Sequence, residues 1–137
     1  MINGVVAAKL QNLDRVLVEL RSLGELSPAR LEQDWIVRRA VERDLQLLVE
    51  VVIDVCQRLL SVAGQTPATS AADAIARCVE IGVLRSPAPY QEMVRFRNFI
   101  VHRYEYIDAA IVAKVVNEEL RGFEQFRDEV LAYVQQD

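Results

Sequence analysis

The sequence is poor in several residue types, and each scarcity removes a class of chemistry. There are two cysteines, Cys56 and Cys78, and one histidine, His102. Two cysteines among apolar neighbours, with one distant histidine, do not make a zinc site. They are expected to be buried as small packing residues, the habit of free cysteine. No structural disulfide is expected in a reducing compartment. The five glycines never gather into a phosphate-cradling loop. No apolar run approaches the roughly 18 residues of a membrane span. Met1-Ile2-Asn3-Gly4 lacks the basic region and cleavage site of a signal peptide. A cytoplasmic protein with no membrane association is therefore expected. Strand-like alternation, internal repeats and low-complexity tracts are missing as well.

Lysine is also scarce. Lys9 and Lys114 are the only two, so 14 of the 16 basic residues are arginine. The net charge of -4 argues against general nucleic-acid affinity, which rests on clustered cations. Arginine nevertheless suits bidentate phosphate contacts better than lysine does. Genomic bias in composition explains the imbalance equally, so local clusters matter more than the total.

What is present is helical scaffold. The 137 residues, 52% hydrophobic, suit one globular domain spanning residues 1–137. Leu10, Leu13, Leu17, Leu20 and Leu23 mark an amphipathic helix from about Val5, with Asn3 as cap and Gly24 as stop. Ser27-Pro28 opens a long segment reaching about Ala63, with room for a break near Gln33-Asp34. Its second half is apolar around most of the wheel, leaving a polar stripe of Gln46, Glu50, Asp54 and Gln57. Such a helix runs through the middle of a bundle or buries a face against a second subunit. Ser70 and Asp73 resemble a capping arrangement for a short helix to about Ile81. Ser86-Pro87 starts another helix, and Asp108 caps a last one running to about Val134. The expected architecture is an all-α, up-and-down bundle of about five helices.

One stretch does not read as scaffold: Arg97-Asn98-Phe99-Ile100-Val101-His102-Arg103-Tyr104. On a helical wheel Phe96, Ile100 and Val101 define an apolar face near Met93, and Arg97 falls among them. A guanidinium there must meet a carboxylate, reach a wet cleft or lie at an interface, because an unpaired buried charge is costly. Glu50 and Asp54 are the candidate partners. His102 lies about 140° round from Arg97 and shares a side with Asn98, four residues earlier. The Asn98 amide can bond one imidazole nitrogen and fix the tautomer. For Arg97 and His102 to act on one phosphate, the helix must distort or two subunits must share a cleft. The bland reading is a structural histidine near a helix end. Arg95, Arg103, and Arg39 with Arg43 are either solvated surface charge or phosphate contacts. Trp35 and Tyr106 are expected to pack in the core, although either could stack on bases.

Arg97-Asn98 followed by His102 resembles the Arg-x4–6-His signature of the HEPN superfamily, and Tyr104 extends it to the Arg-x4-His-x-Tyr form of HepT-like toxins. The leading helix, the long helix with Glu50 and Asp54, Ile81-Gly82-Val83-Leu84 and the closing helix fit the same layout. The resemblance implies a metal-independent endoribonuclease toxin of a toxin–antitoxin pair, needing no cofactor and dimerising through its motif-bearing helices. It implies that His102 moves the proton of the ribose 2'-hydroxyl, that Arg97 holds the scissile phosphate, and that Asn98 orients His102. It further implies a minimal nucleotidyltransferase antitoxin that transfers AMP from ATP to Tyr104, which on its spacing alone is a core residue. The competing readings are a non-catalytic HEPN module that binds nucleotide or docks a nucleotidyltransferase, and a helical dimer without activity.

Overall fold

The computed structural model describes residues 3–102 and 108–136, His102 by its backbone only. Among them the chain forms seven helices and no strand. These are α1 (Gly4–Arg21), α2 (Pro28–Gln33), α3 (Trp35–Val62), α4 (Ala71–Glu80), α5 (Ala88–His102), α6 (Ala109–Glu118) and α7 (Arg121–Val134). The all-α bundle forms as expected, with seven helices in place of about five.

Two boundaries account for the difference. At Asp34 the backbone leaves the helical region (φ -119°, ψ 90°), and the carboxylate accepts the Val37 N–H at 3.1 Å. One residue thus closes α2 and caps α3. The second boundary corrects the expectation of one continuous helix from Asp108 to Val134. The chain turns at Glu119 and Leu120, and α6 packs on α2 while α7 packs on α1 and α3. Apolar residues keep helical spacing across the turn, so periodicity alone could not reveal it.

The other caps follow the sequence. Asn3 Oδ1 accepts the Val5 N–H at 2.8 Å. Ser70 Oγ accepts the Asp73 N–H, and Asp73 Oδ2 accepts the Thr69 N–H, both at 3.0 Å. At Gly82, φ is +88°, a conformation that glycine adopts without the Cβ clash of other residues. The turn that follows is held by Val83 N–H donating to the Cys78 carbonyl at 2.8 Å.

Helix α3 is the axis of the core. It buries Val41, Leu45, Leu48, Val49, Val52, Val55, Cys56 and Leu59, and it packs against α1, α2, α4, α5 and α7. Its Asp54 and Gln57 remain exposed, as the polar stripe requires. Both cysteines are buried, and Cys78 Sγ donates to the Cys56 carbonyl at 3.4 Å. Helix α5 runs antiparallel to α3. Tyr90 near its start lies within electrostatic reach of Cys56, whereas Met93 and Phe96 share a groove with Val49 and Leu45. The C-terminal end of α5 therefore points toward the start of α3. No described helix is long and apolar enough to cross a membrane.

Candidate active site

Helix α5 changes character along its length. Tyr90 and Val94 are fully packed. The Tyr90 ring meets Phe126 edge-on, with centroids 5.6 Å apart, and its hydroxyl donates to Glu129 Oε2 at 2.6 Å. Arg97 follows three residues after Val94 and seven after Tyr90, so it continues the packed face. It is half-buried, and its Nε is enclosed with no hydrogen-bond partner among the described residues. An unbonded buried donor costs about 1–3 kcal/mol.

The expected partners do not meet it. Glu50 Oε1 accepts from Gln46 Nε2 at 2.9 Å, and Asp54 pairs with Lys9 at 3.3 Å. Among the described residues Arg97 forms no ion pair with either. The physical reason is position on the wheel. Asp54 lies on the side of α3 that meets α1, away from the face where Leu45 and Val49 meet α5.

Beyond Arg97 the helix opens to solvent. Asn98 is exposed, Phe99 is 65% exposed and Val101 is 40% exposed, while Phe96 and Ile100 are half-buried. Part of the apolar face expected for the core thus lies outside it. The His102 backbone stands one turn after Asn98, on the same side. Its side chain, and all of Arg103, Tyr104 and Tyr106, fall outside the described residues, so their expected roles are carried forward without geometry.

The remaining candidates divide. Arg95 is exposed and paired with Glu92. Arg39 and Arg43 are both exposed on α3. Trp35 corrects its expected packing role: at the first position of α3 it is 67% exposed. Arg38 is likewise not a surface charge. It is buried with Glu42 at 3.2 Å. Sequence reading missed Glu42. The available signal was its spacing from Leu45 and Val49, three and seven residues on, which places a carboxylate on the core face one turn after an arginine.

A groove of about 520 Å³ runs between α3, α5, α6 and α7, lined by Leu45, Val49, Met93, Phe96, Ile111 and Phe123. Neither this groove nor the larger hollows of about 660 and 790 Å³ elsewhere are lined by Arg97 or Asn98. Among the described residues no group of three or more histidine, cysteine, aspartate or glutamate side chains could hold a metal ion.

Residues 13–130 match the family model described as Ribonuclease HepT-like. Over 134 residues the chain is 25% identical to the mRNA nuclease HepT of Shewanella oneidensis, a match covering 96% of this chain and 99% of that protein. Its fold is similar to that of a tri-AMPylated Shewanella oneidensis HEPN toxin solved in complex with MNT antitoxin. That likeness has a TM-score of 0.86 at 23% identity and covers 96% of this chain and 99% of the other. A toxin–antitoxin structure with AMP-PNP is similar at a TM-score of 0.84 and 24% identity, over 96% and 99% of the two chains. At those identities the structural likeness establishes the fold alone.

Proposed function

Because the chain belongs to the Ribonuclease HepT-like family, we propose that it is the ribonuclease toxin of a toxin–antitoxin pair, cleaving RNA at Arg97 and His102 without a metal ion. The observation that carries this reading is the state of Arg97, a half-buried guanidinium with an enclosed, unbonded Nε, on the helix that carries His102. A phosphate oxygen is the partner such a group suits best.

The chemistry then follows. His102 takes the proton from a ribose 2'-hydroxyl, a transfer suited to a group titrating near neutrality. The 2'-oxygen forms a bond to the adjacent phosphorus, and the bond from phosphorus to the 5'-oxygen breaks. The leaving oxygen takes up a proton, giving a 2',3'-cyclic phosphate and a 5'-hydroxyl. Arg97 holds the phosphate and stabilises the charge that grows on its oxygens. Asn98 orients the imidazole.

Arg97 and His102 diverge by about 140° on one helix, so a cleft shared by two copies is the simplest way to bring both to one linkage. The exposed Phe99 and Val101 are apolar surface that a second copy would cover. The partner is a minimal nucleotidyltransferase. It transfers AMP from ATP to the Tyr104 hydroxyl with loss of pyrophosphate, and the added negative charge occupies Arg97 and repels RNA.

The test uses the chain freed of partner, with intact mass confirming an unmodified Tyr104 and dimer formation verified. In chelator it cleaves single-stranded RNA to cyclic-phosphate ends. His102→Ala lowers the rate by about 10²–10⁴-fold with the fold retained. Undiminished cleavage by that variant ends the proton-transfer assignment. An inert, unmodified dimer favours the non-catalytic docking module instead.

A further inference from the structure

The outward face of α3 carries its charges in two blocks. Around the helical wheel Arg39, Arg43, Gln46, Glu50, Asp54 and Gln57 fall within an arc of about 80°, on the side away from the inward-packing Leu45, Val49 and Cys56. The first half of this stripe holds the cations Arg39 and Arg43. The second half holds the carboxylates Glu50 and Asp54, with uncharged Gln46 and Leu47 between the blocks. Arg39, Arg43 and Asp54 are exposed, and Glu50 is half-buried. Contacts within the chain use these groups only in part. Arg43 has the Asp44 carboxyl within electrostatic reach, Glu50 Oε1 accepts from Gln46, and Asp54 takes Lys9 through Oδ2 alone. The two blocks lie beyond the i+3 and i+4 neighbours that pair on one helix.

We propose that this face of α3 docks a second copy of the chain, with the two α3 helices antiparallel about a two-fold axis between Gln46 and Leu47. The spacing singles out that register. Arg39 and Arg43 are four residues apart, and so are Glu50 and Asp54. The pairing sets Arg43 opposite Glu50 of the second copy and Arg39 opposite its Asp54. Symmetry repeats both pairs, so each of these cations meets a carboxylate. A parallel, in-register arrangement sets each block against its own sign instead. Arg58, the next cation along, falls opposite position 35, which carries no charge. Helix α1 supplies carbon at the two ends. Its Lys9 meets Asp54 and its Glu19 acts on Asp44, so α1 runs antiparallel beside α3, and Val5 lies about level with Arg58. Val5 stands one turn from Lys9 on the same side of α1. The two-fold axis brings this exposed valine to the exposed Ile36 of the second copy. The contact is separate from the one proposed at Phe99 and Val101, because α5 packs on the Leu45 and Val49 side of α3. It depends on neither that contact nor the nuclease chemistry, and the two contacts together build assemblies larger than a pair.

The experiment follows the full chain by sedimentation velocity over a concentration series at low salt. Wild type associates through this face, and added salt weakens the association, as screening of exposed charge requires. Arg43→Glu and Glu50→Arg each set like charge against like charge twice. Each raises the concentration needed for association by about 10–100-fold, while circular dichroism shows both still helical. Mixed in equal amounts, the two variants recover wild-type association, because Arg43→Glu presents carboxylates where Glu50→Arg presents cations. Neither a damaged fold nor a general change of net charge gives that recovery. Association unchanged in both variants overturns the proposal, and so does a mixture that assembles no better than its parts. Loss of RNA binding in Arg43→Glu with association intact also overturns it and makes the face a phosphate contact. The ribonuclease reading stands or falls separately, on the cleavage assay with His102→Ala.

Discussion

Replacing Tyr90 with phenylalanine removes a single oxygen from a buried network, and its effect follows from the geometry. Glu129, 8% exposed, accepts from Tyr90 Oη at 2.6 Å, from the Arg85 backbone N–H at 2.7 Å and from Gln125 Nε2 at 2.8 Å. These bonds tie α7 to α5 and to the segment before it. The phenylalanine ring keeps its packing against Phe126, so no cavity is opened. The loss is one hydrogen bond to a carboxylate, about 1.5–3 kcal/mol. For a domain of this size a loss near 2 kcal/mol lowers Tm by about 6–10 °C, and urea unfolding should show a lower midpoint at unchanged m. Alkaline titration gives a second readout. Burial, then the bond to Glu129, raises the Tyr90 pKa above its ordinary value. Above about pH 10 the unfolded tyrosine releases its proton while the folded one keeps it, so stability falls as pH rises, by up to about 1.4 kcal/mol per pH unit. Phenylalanine has no such proton, so the gap between wild type and Tyr90→Phe must narrow in alkali. Equal stability at neutral pH, or a gap that widens above pH 10, would refute the reasoning.

Three further outcomes follow from the core. Glu42→Leu alone removes the buried carboxylate that Arg38 Nε bonds at 3.2 Å and costs about 3–5 kcal/mol, whereas Arg38→Met with Glu42→Leu costs clearly less, as thermal melts of both would show. A Cβ at Gly122 meets the Met93 Cε at 2.8 Å. That tip is flexible and alanine favours the helix, so Gly122→Ala stays within about 1 kcal/mol of wild type, whereas Gly122→Val is clearly destabilised in urea. The Cys78 side chain, then burial, pushes the Cys56 thiol well above the ordinary cysteine range. A thiol reagent near pH 8 should therefore label Cys56 and Cys78 slowly in the native state and rapidly in denaturant.

The parts legible in the sequence are those decided by local chemistry. Asn3, Ser27, Ser70 and Asp108 cap helices because a short polar side chain reaches the next turn's N–H wherever the rest of the chain goes. The core face of α3 was legible for the same reason, since its leucines and valines repeat at helical spacing. The parts that were not legible depend on what lies across a space. The turn at Glu119 is set by the different neighbours of α6 and α7. Whether Arg97 meets Glu50 depends on the rotation of α3 about its axis. Trp35 reads as core by residue type and is exposed at the first position of α3. Arg38, Arg39 and Arg43 look alike in sequence, yet Arg38 is buried with Glu42 and the other two are free of the core.

Along helix α5 the packed turns and the proposed site are separated. Its first turns are fixed by Tyr90 and Val94, through a full complement of packing and the Glu129 bonds. Its last turns carry an enclosed but unbonded guanidinium nitrogen at Arg97 and exposed carbon at Phe99 and Val101. The second set contributes little to the isolated fold and in part opposes it. A helix anchored at one end and unfinished at the other gains from a complementary surface that arrives later. On the proposed reading that surface is a second copy for the carbon and a phosphate for the guanidinium. The same logic places the cost of the site outside the core: the anchoring network can hold the fold whether or not the open end is occupied.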